Sequence, residues 1–105
     1  MKAVSGGHTA GYVYILTNTH RTTLYIGVTS DLERRLWQHR HHVFKNSFTD
    51  RYNLEILLYW EAHDRIAQAI LREKELKGWR RAKKEALIAT QNPEWLDLGS
   101  SFLQI

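Results

Sequence analysis

Three groups of side chains recur at spacings that suit phosphate chemistry. Tyr12, Tyr14 and Tyr25 lie on two neighbouring segments rich in apolar and β-branched residues. A strand tyrosine ordinarily packs, with its hydroxyl at the rim. Two paired strands that each offer a phenol can nevertheless bring both hydroxyls to one phosphate. Arg35 and His39, four residues apart, share a face on a helix. Leu32 and Leu36 flank that face and hold Arg35 against apolar neighbours, where its guanidinium offers a fork of donors to a phosphate. A structural arginine paired with a carboxylate fits the same pattern. Glu73 follows Ile70 by three residues and Ile66 by seven, which sets its carboxylate on an apolar helical stripe. Such a site penalises a carboxylate unless a cation or donors meet it. An arginine would serve, and so would a hard divalent cation, which prefers oxygen ligands. His39, His41 and His42 form a cluster whose spacing does not suit a helix-face ligand pair, so all but His39 read as solvated.

The chain of 105 residues fits one domain, read as a flexible polar leader over 1–10 and a single folded unit over 11–105. A hydrophobic fraction of 43% and a charged fraction of 25% are ordinary for a globular protein. No apolar run approaches the roughly 20 residues that a membrane helix needs, and the first residues lack the apolar core of a secretory signal. Without cysteine, disulfides and thiolate zinc sites are excluded, which suits a cytoplasmic location. The net charge is +4, and its distribution is uneven. From Arg65 to Glu85, eight basic residues (Arg65, Arg72, Lys74, Lys77, Arg80, Arg81, Lys83, Lys84) face three acids, Glu73, Glu75 and Glu85. A solvated helical face is one reading; a phosphate-facing surface is the one favoured by that concentration.

The elements that must position these residues follow from local pattern. Gly11–Leu16 reads as a strand with apolar residues on both faces, hence covered on both sides. A polar turn over 17–22 leads to a second strand, Leu24–Val28. Ser30 and Glu33 have capping-box spacing, predicting a helix to about Arg40 or His41. The segment His42–Asn53 reads as polar and irregular. Leu54–Glu61 reads as a third strand. Asp64 can cap a second helix ending near Gly78, and Arg80–Thr90 reads as a third, basic helix. Asn92-Pro93 breaks it, and the tail is expected to dock through Trp95 and Leu98. The expectation is an α/β fold, order β-β-α-β-α-α, with a small three-stranded, mostly antiparallel sheet flanked by helices.

Taken in order, these residues resemble the GIY-YIG nuclease superfamily, most closely its small stand-alone bacterial members. Tyr12-Val13-Tyr14 is similar to the first signature and Tyr25-Ile26-Gly27 to the second, with Tyr14 and Tyr25 eleven residues apart. Arg35, eight residues past Gly27, falls where the family has its catalytic arginine, followed by His39. Ala69–Lys74 is similar to the helix segment bearing the metal-binding glutamate, and Asn92 matches a late asparagine. The glycine that opens the first signature is Tyr12 here, with Gly11 displaced by one.

The resemblance covers Gly11 to Asn92 and implies a metal-dependent endonuclease acting on nucleic acid, with DNA the nearer expectation and repair or recombination the setting. One divalent ion, Mg²⁺ or Mn²⁺, would be held by Glu73. Tyr25 would orient or deprotonate water, Arg35 would stabilise charge on phosphorus, and Tyr14 and His39 would position water or phosphate. Lys45, Arg72, Lys77, Arg80, Arg81, Lys83, Lys84 and Asn92 are the expected nucleic-acid contacts. The competing expectation is a nucleic-acid-binding module that cuts weakly or not at all.

Overall fold

In the strand Gly11–Thr17 (β1), Val13 and Ile15 alternate with Tyr14 and Leu16, and all four are buried. Such a strand needs cover on both faces and a partner on each edge. The computed structural model describes residues 10–101 and supplies both. β1 pairs antiparallel with Leu24–Thr29 (β2) and with Ile56–His63 (β3), in the order β2-β1-β3. On one face Leu32–Arg40 (α1) brings Leu32 and Leu36 to Tyr14, Leu16, Leu54 and Leu57. The other face collects Val13, Ile15, Ile26 and Leu58 under Ala69, Leu76 and Ile88. The first two of these covering residues come from Ile66–Lys77 (α3), and Ile88 comes from Arg81–Gln91 (α4). The α/β architecture is therefore the expected one, a three-stranded antiparallel sheet flanked by helices.

The β1–β2 hairpin sets the register on which the site depends. Asn18 Oδ1 accepts from the Thr22 and Thr23 amides at 2.9 and 3.1 Å, and Thr17 Oγ1 donates to Thr23 O at 2.8 Å. This turn aligns Tyr14 with Gly27 and Leu16 with Tyr25. Because side chains alternate along a strand, Tyr14 and Tyr25 then lie on one face.

Several boundaries differ from those read in sequence. The α1 N-cap is Asp31 rather than Ser30, its side chain accepting from the Arg34 amide at 3.1 Å. A carboxylate at a helix N-terminus also meets the positive end of the dipole. Asp64 does not cap α3, whose N-cap is Arg65 with no side-chain cap bond. Gly78 does end α3, but at φ −84°, so it uses no left-handed freedom. The third strand begins at Ile56, two residues late, while Leu54 is buried just before it. The segment read as irregular contains a one-turn helix, Phe48–Arg51 (α2), capped by Ser47 Oγ on the Asp50 amide at 3.2 Å.

A short 3₁₀ turn, Leu98–Ser101, follows α4. The tail docks as expected, Trp95 on one core and Leu98 on the other. Asp97 fixes it by accepting from the Leu57 amide at 3.1 Å and pairing with Arg40 at 2.6 Å. Among the described residues no helix is long and apolar enough to cross a membrane. The expected leader falls almost wholly outside the described residues.

Candidate active site

Tyr14 is the centre of the candidate site, and a glycine makes room for it. A Cβ on Gly27 would lie 2.4 Å from both Cζ and Oη of the Tyr14 ring, a distance no side chain tolerates. The phenol therefore lies across β2 only because residue 27 has no side chain. Gly27→Ala must push the ring or the strand aside, a change expected to cost about 1–3 kcal/mol. Urea unfolding measures it, and an unchanged midpoint would mean that the ring moves freely.

Arg35 Nη1 donates to Tyr14 Oη at 3.4 Å, and His39 Nε2 lies 3.3 Å from the same oxygen. His39 Nδ1 in turn lies 3.0 Å from Thr49 Oγ1, which is 3.2 Å from Ser47 Oγ. Burial pushes the Tyr14 phenol up to about 12; Arg35 opposes this, while Tyr25 and the Glu73 carboxylate add to it. Burial, with the Arg35 charge as a second cause, lowers His39 to about 4. Both rings are thus neutral at pH 7. Since a guanidinium only donates, the donor direction is assigned as Arg35 to Tyr14, Tyr14 to His39 Nε2, and His39 Nδ1–H to Thr49.

This geometry has a pH signature. In the unfolded chain His39 takes up a proton near its ordinary value of 6.5, whereas in the folded chain it does so only near 4. Between those values the unfolded state binds more protons, so stability falls as pH drops from 6.5 to 4 and then levels for this group. Thermal unfolding across that range, compared with His39→Gln, measures the contribution. Equal slopes for the two proteins would remove it.

Tyr25, half-buried on β2, faces the same space, its ring centroid 6.4 Å from Tyr14 and 6.2 Å from His39. Glu73 comes from α3, whose buried residues Ala69 and Leu76 lie four before and three after it. Ile66 and Ile70, read in sequence as the core-facing stripe, are instead 41% and 38% exposed. The stripe is rotated, yet Glu73 is still shielded, its side chain only 12% exposed. Lys77 pairs with it at 2.6 Å. Among the described residues no three His, Cys, Asp or Glu side chains cluster to enclose a metal ion. A shielded single carboxylate fits a divalent ion that keeps most of its water and takes phosphate oxygens, as Mg²⁺ does.

The structure brings Tyr14, Tyr25, Arg35 and His39 together, while the expected nucleic-acid contacts are scattered. Lys45 is exposed on the segment before α2. Arg72 is tied to Glu61 and Glu75 at 2.9 and 3.0 Å, and Lys77 to Glu73. Arg81 pairs with Glu85 at 2.9 Å and donates to the Thr22 and Arg21 carbonyls at 2.7 and 3.1 Å, bracing the hairpin turn. Lys83 lies 4.2 Å over the Trp79 ring, and Arg80 is exposed at the start of α4. Lys84 is half-buried. Asn92 is 3% exposed and donates both amide hydrogens, to Leu58 O at 3.0 Å and Leu96 O at 2.7 Å. With those donors committed it has none for a phosphate, and its role is to tie α4 to β3 and the tail.

Sequence reasoning missed Thr49, buried behind His39, and a cluster in which Tyr59, His63 and Arg72 all bind Glu61. The signal for Thr49 was present, since Ser47 and Asp50 have helix-cap spacing. His42 is not simply solvated: it bridges Asp50 and Glu55 at 2.7 Å each. The Tyr12 departure also has an account. A Cβ on Gly11 would meet Ala69 Cβ at 2.8 Å, so the small residue is needed where α3 crosses β1. Tyr12 packs on Trp60, ring centroids 6.0 Å apart.

A profile of the GIY-YIG catalytic domain matches residues 10–86, which include Tyr14, Tyr25, Arg35, His39 and Glu73. The chain is 36% identical over 83 residues to a UPF0213 protein of Syntrophus aciditrophicus (strain SB), covering 79% of this chain and 93% of that one. It is 38% identical over 80 residues to a UPF0213 protein of Natronomonas pharaonis, covering 76% and 92%. The solution NMR structure of a UPF0213 protein from Bacillus halodurans superposes with a TM-score of 0.53 at 27% identity, covering 86% and 94%. The match takes in both tyrosine strands, the arginine helix and the glutamate helix, and the chain belongs to the GIY-YIG catalytic-domain family.

Proposed function

We propose that this protein is a metal-dependent endonuclease that hydrolyses phosphodiester bonds in nucleic acid, with DNA as first substrate, working in the cytoplasm. The observation that carries the reading is the convergence of Arg35, Tyr14 and His39 on one phenol oxygen, beside Tyr25 and within the field of Glu73. Arg35, held by Tyr14, directs a fixed charge at the developing negative phosphorane. Tyr14 stays protonated at neutral pH and acts as a positioning residue. Tyr25, half-exposed, orients or deprotonates the attacking water. Glu73 would hold one Mg²⁺ or Mn²⁺, which polarises the phosphate and stabilises the leaving oxygen when bound. The test is relaxation of supercoiled plasmid with Mg²⁺ or Mn²⁺, with EDTA as blank. Absence of nicking on plasmid, single strands and branched substrates alike would reject it.

A second reading is a module that grips nucleic acid without cutting. The Lys77 ammonium favours it, because it already satisfies the Glu73 carboxylate. Mobility shift without cleavage would support that module.

The basic surface is expected to meet phosphates rather than base edges. Arg80, Arg81, Lys83 and Lys84 changed together to Ala should flatten the plot of log affinity against log salt, by about 0.9 for each phosphate no longer neutralised, on all sequences alike. An unchanged slope would make the cluster a solvated face, with Arg81 a brace only.

A further inference from the structure

The segment between α1 and β3 carries more exposed aromatic surface than covering the site requires. Phe48 stacks on Tyr25 at 6.0 Å and 25°, and Tyr52 follows Phe48 at 4.7 Å. Both residues remain accessible, with Phe48 43% and Tyr52 50% exposed. Phe44, 38% exposed, lies under the Arg35 guanidinium at 5.8 Å. Thus a row of rings runs outward from Tyr25, and another ring adjoins the residue assigned to the phosphate.

The charges of this segment are sorted to match. Asp50 and Glu55 are both bound by His42, and Asp50 also accepts from the Asn46 amide at 2.8 Å. Lys45 and Arg51 are exposed and make no ion pair among the described residues. His42, Asn46 and Asn53 adopt left-handed backbone, φ 52°, 64° and 54°. Asn and His accept this backbone more readily than most residues, and His42 and Asn53 take it directly after the C-caps of α1 and α2. A cover that served only to bury His39 could use aliphatic residues and carry no outward cations.

We infer that Phe48 and Tyr52, continued by Tyr25, form a stacking platform for unpaired bases, so that the substrate is single-stranded or locally unpaired nucleic acid next to the phosphate held at Arg35. This rests on the nuclease reading above and narrows its substrate. Bases in a duplex already stack on one another, and only an unpaired base can lay its face on a protein ring. Lys45 and Arg51 then follow the backbone. Stacking of this kind tolerates any base, so little sequence preference is expected.

The test is fluorescence anisotropy in EDTA with three probes of about 16 nucleotides, a length within the span of single-strand sites. These are a labelled thymidine strand, the same strand with several consecutive abasic positions, and a duplex. Wild type is expected to bind the base-bearing strand about tenfold or more tighter than the abasic strand, whose phosphates are unchanged. Phe48→Leu with Tyr52→Leu should lose about tenfold per ring on the base-bearing strand and nothing on the abasic one. Phe48→Tyr with Tyr52→Phe should restore binding. Equal affinity of wild type for base-bearing and abasic strands overturns the platform without any variant. So does a platform variant that disperses a dimer in sedimentation and leaves oligonucleotide affinity alone. Plasmid nicking with no preference for unpaired strands retains the nuclease and removes the platform. Failure to bind any of the three probes removes both.

Discussion

Glu73→Ala is expected to abolish metal-dependent cleavage, by roughly a thousandfold or more, while nucleic-acid binding survives. The reasoning starts from solvation. Glu73 is a carboxylate mostly withdrawn from water, on the helix stripe between Ala69 and Leu76, with one ammonium from Lys77 beside it. An exposed lysine partner on the same helix contributes only a few tenths of a kcal/mol, so removing the pair leaves the fold intact. The loss should fall on the chemical step, because among the described residues no group of three or more His, Cys, Asp or Glu side chains could hold the ion instead. Circular dichroism checks the fold, anisotropy checks binding and plasmid nicking checks the step. A Glu73→Ala protein that nicks at the wild-type rate would sink the one-metal reading and leave Glu73 as the partner of Lys77.

Arg35→Lys should retain charge and lose most of the rate, worth about 3 kcal/mol of barrier or roughly a hundredfold. Arg35 does two things that lysine cannot do together. Its planar guanidinium donates to Tyr14 Oη while resting over the Phe44 ring, and its remaining N–H groups can fork onto a phosphate. A lysine ammonium is a point charge without that fork. Arg34→Lys, one position earlier on the exposed face of α1, is the control and should change little. Single-turnover rates at saturating metal separate the chemical step from binding. A near-normal rate in Arg35→Lys would reduce Arg35 to a structural partner of Tyr14.

Much of the architecture is legible in the chain itself. The doubly apolar pattern of Gly11–Thr17 demands a central strand, because neither alternating set can face water. Tyr14, Tyr25, Arg35 and His39 are identifiable because strand alternation and helical four-residue spacing are local, and these two rules decide which side chains share a face. The ordered motifs and their spacing point to the GIY-YIG family without any tertiary information.

What only the tertiary structure decided is long-range. Local pattern sets the α3 stripe on Ile66 and Ile70, but the buried residues of the docked helix are Ala69 and Leu76, with Ala69 and Ile66 both close against Gly11. No local rule reports which of two apolar sets meets a sheet; that depends on the shape of the partner. By resemblance Asn92 is an expected nucleic-acid contact, yet its donors go to carbonyls of residues 58 and 96. The first of those partners lies thirty-four residues away in sequence and comes within reach only when β3 and α4 pack. Arg72 and Arg81 count as surface charge until folding sets Glu61 and the hairpin carbonyls beside them. The one-turn helix at Phe48–Arg51 is too short for periodicity to show. It exists because its cap and Thr49 find Asp50 and His39, so the sequence determined which residues could do chemistry, and packing decided which of them are free to do it.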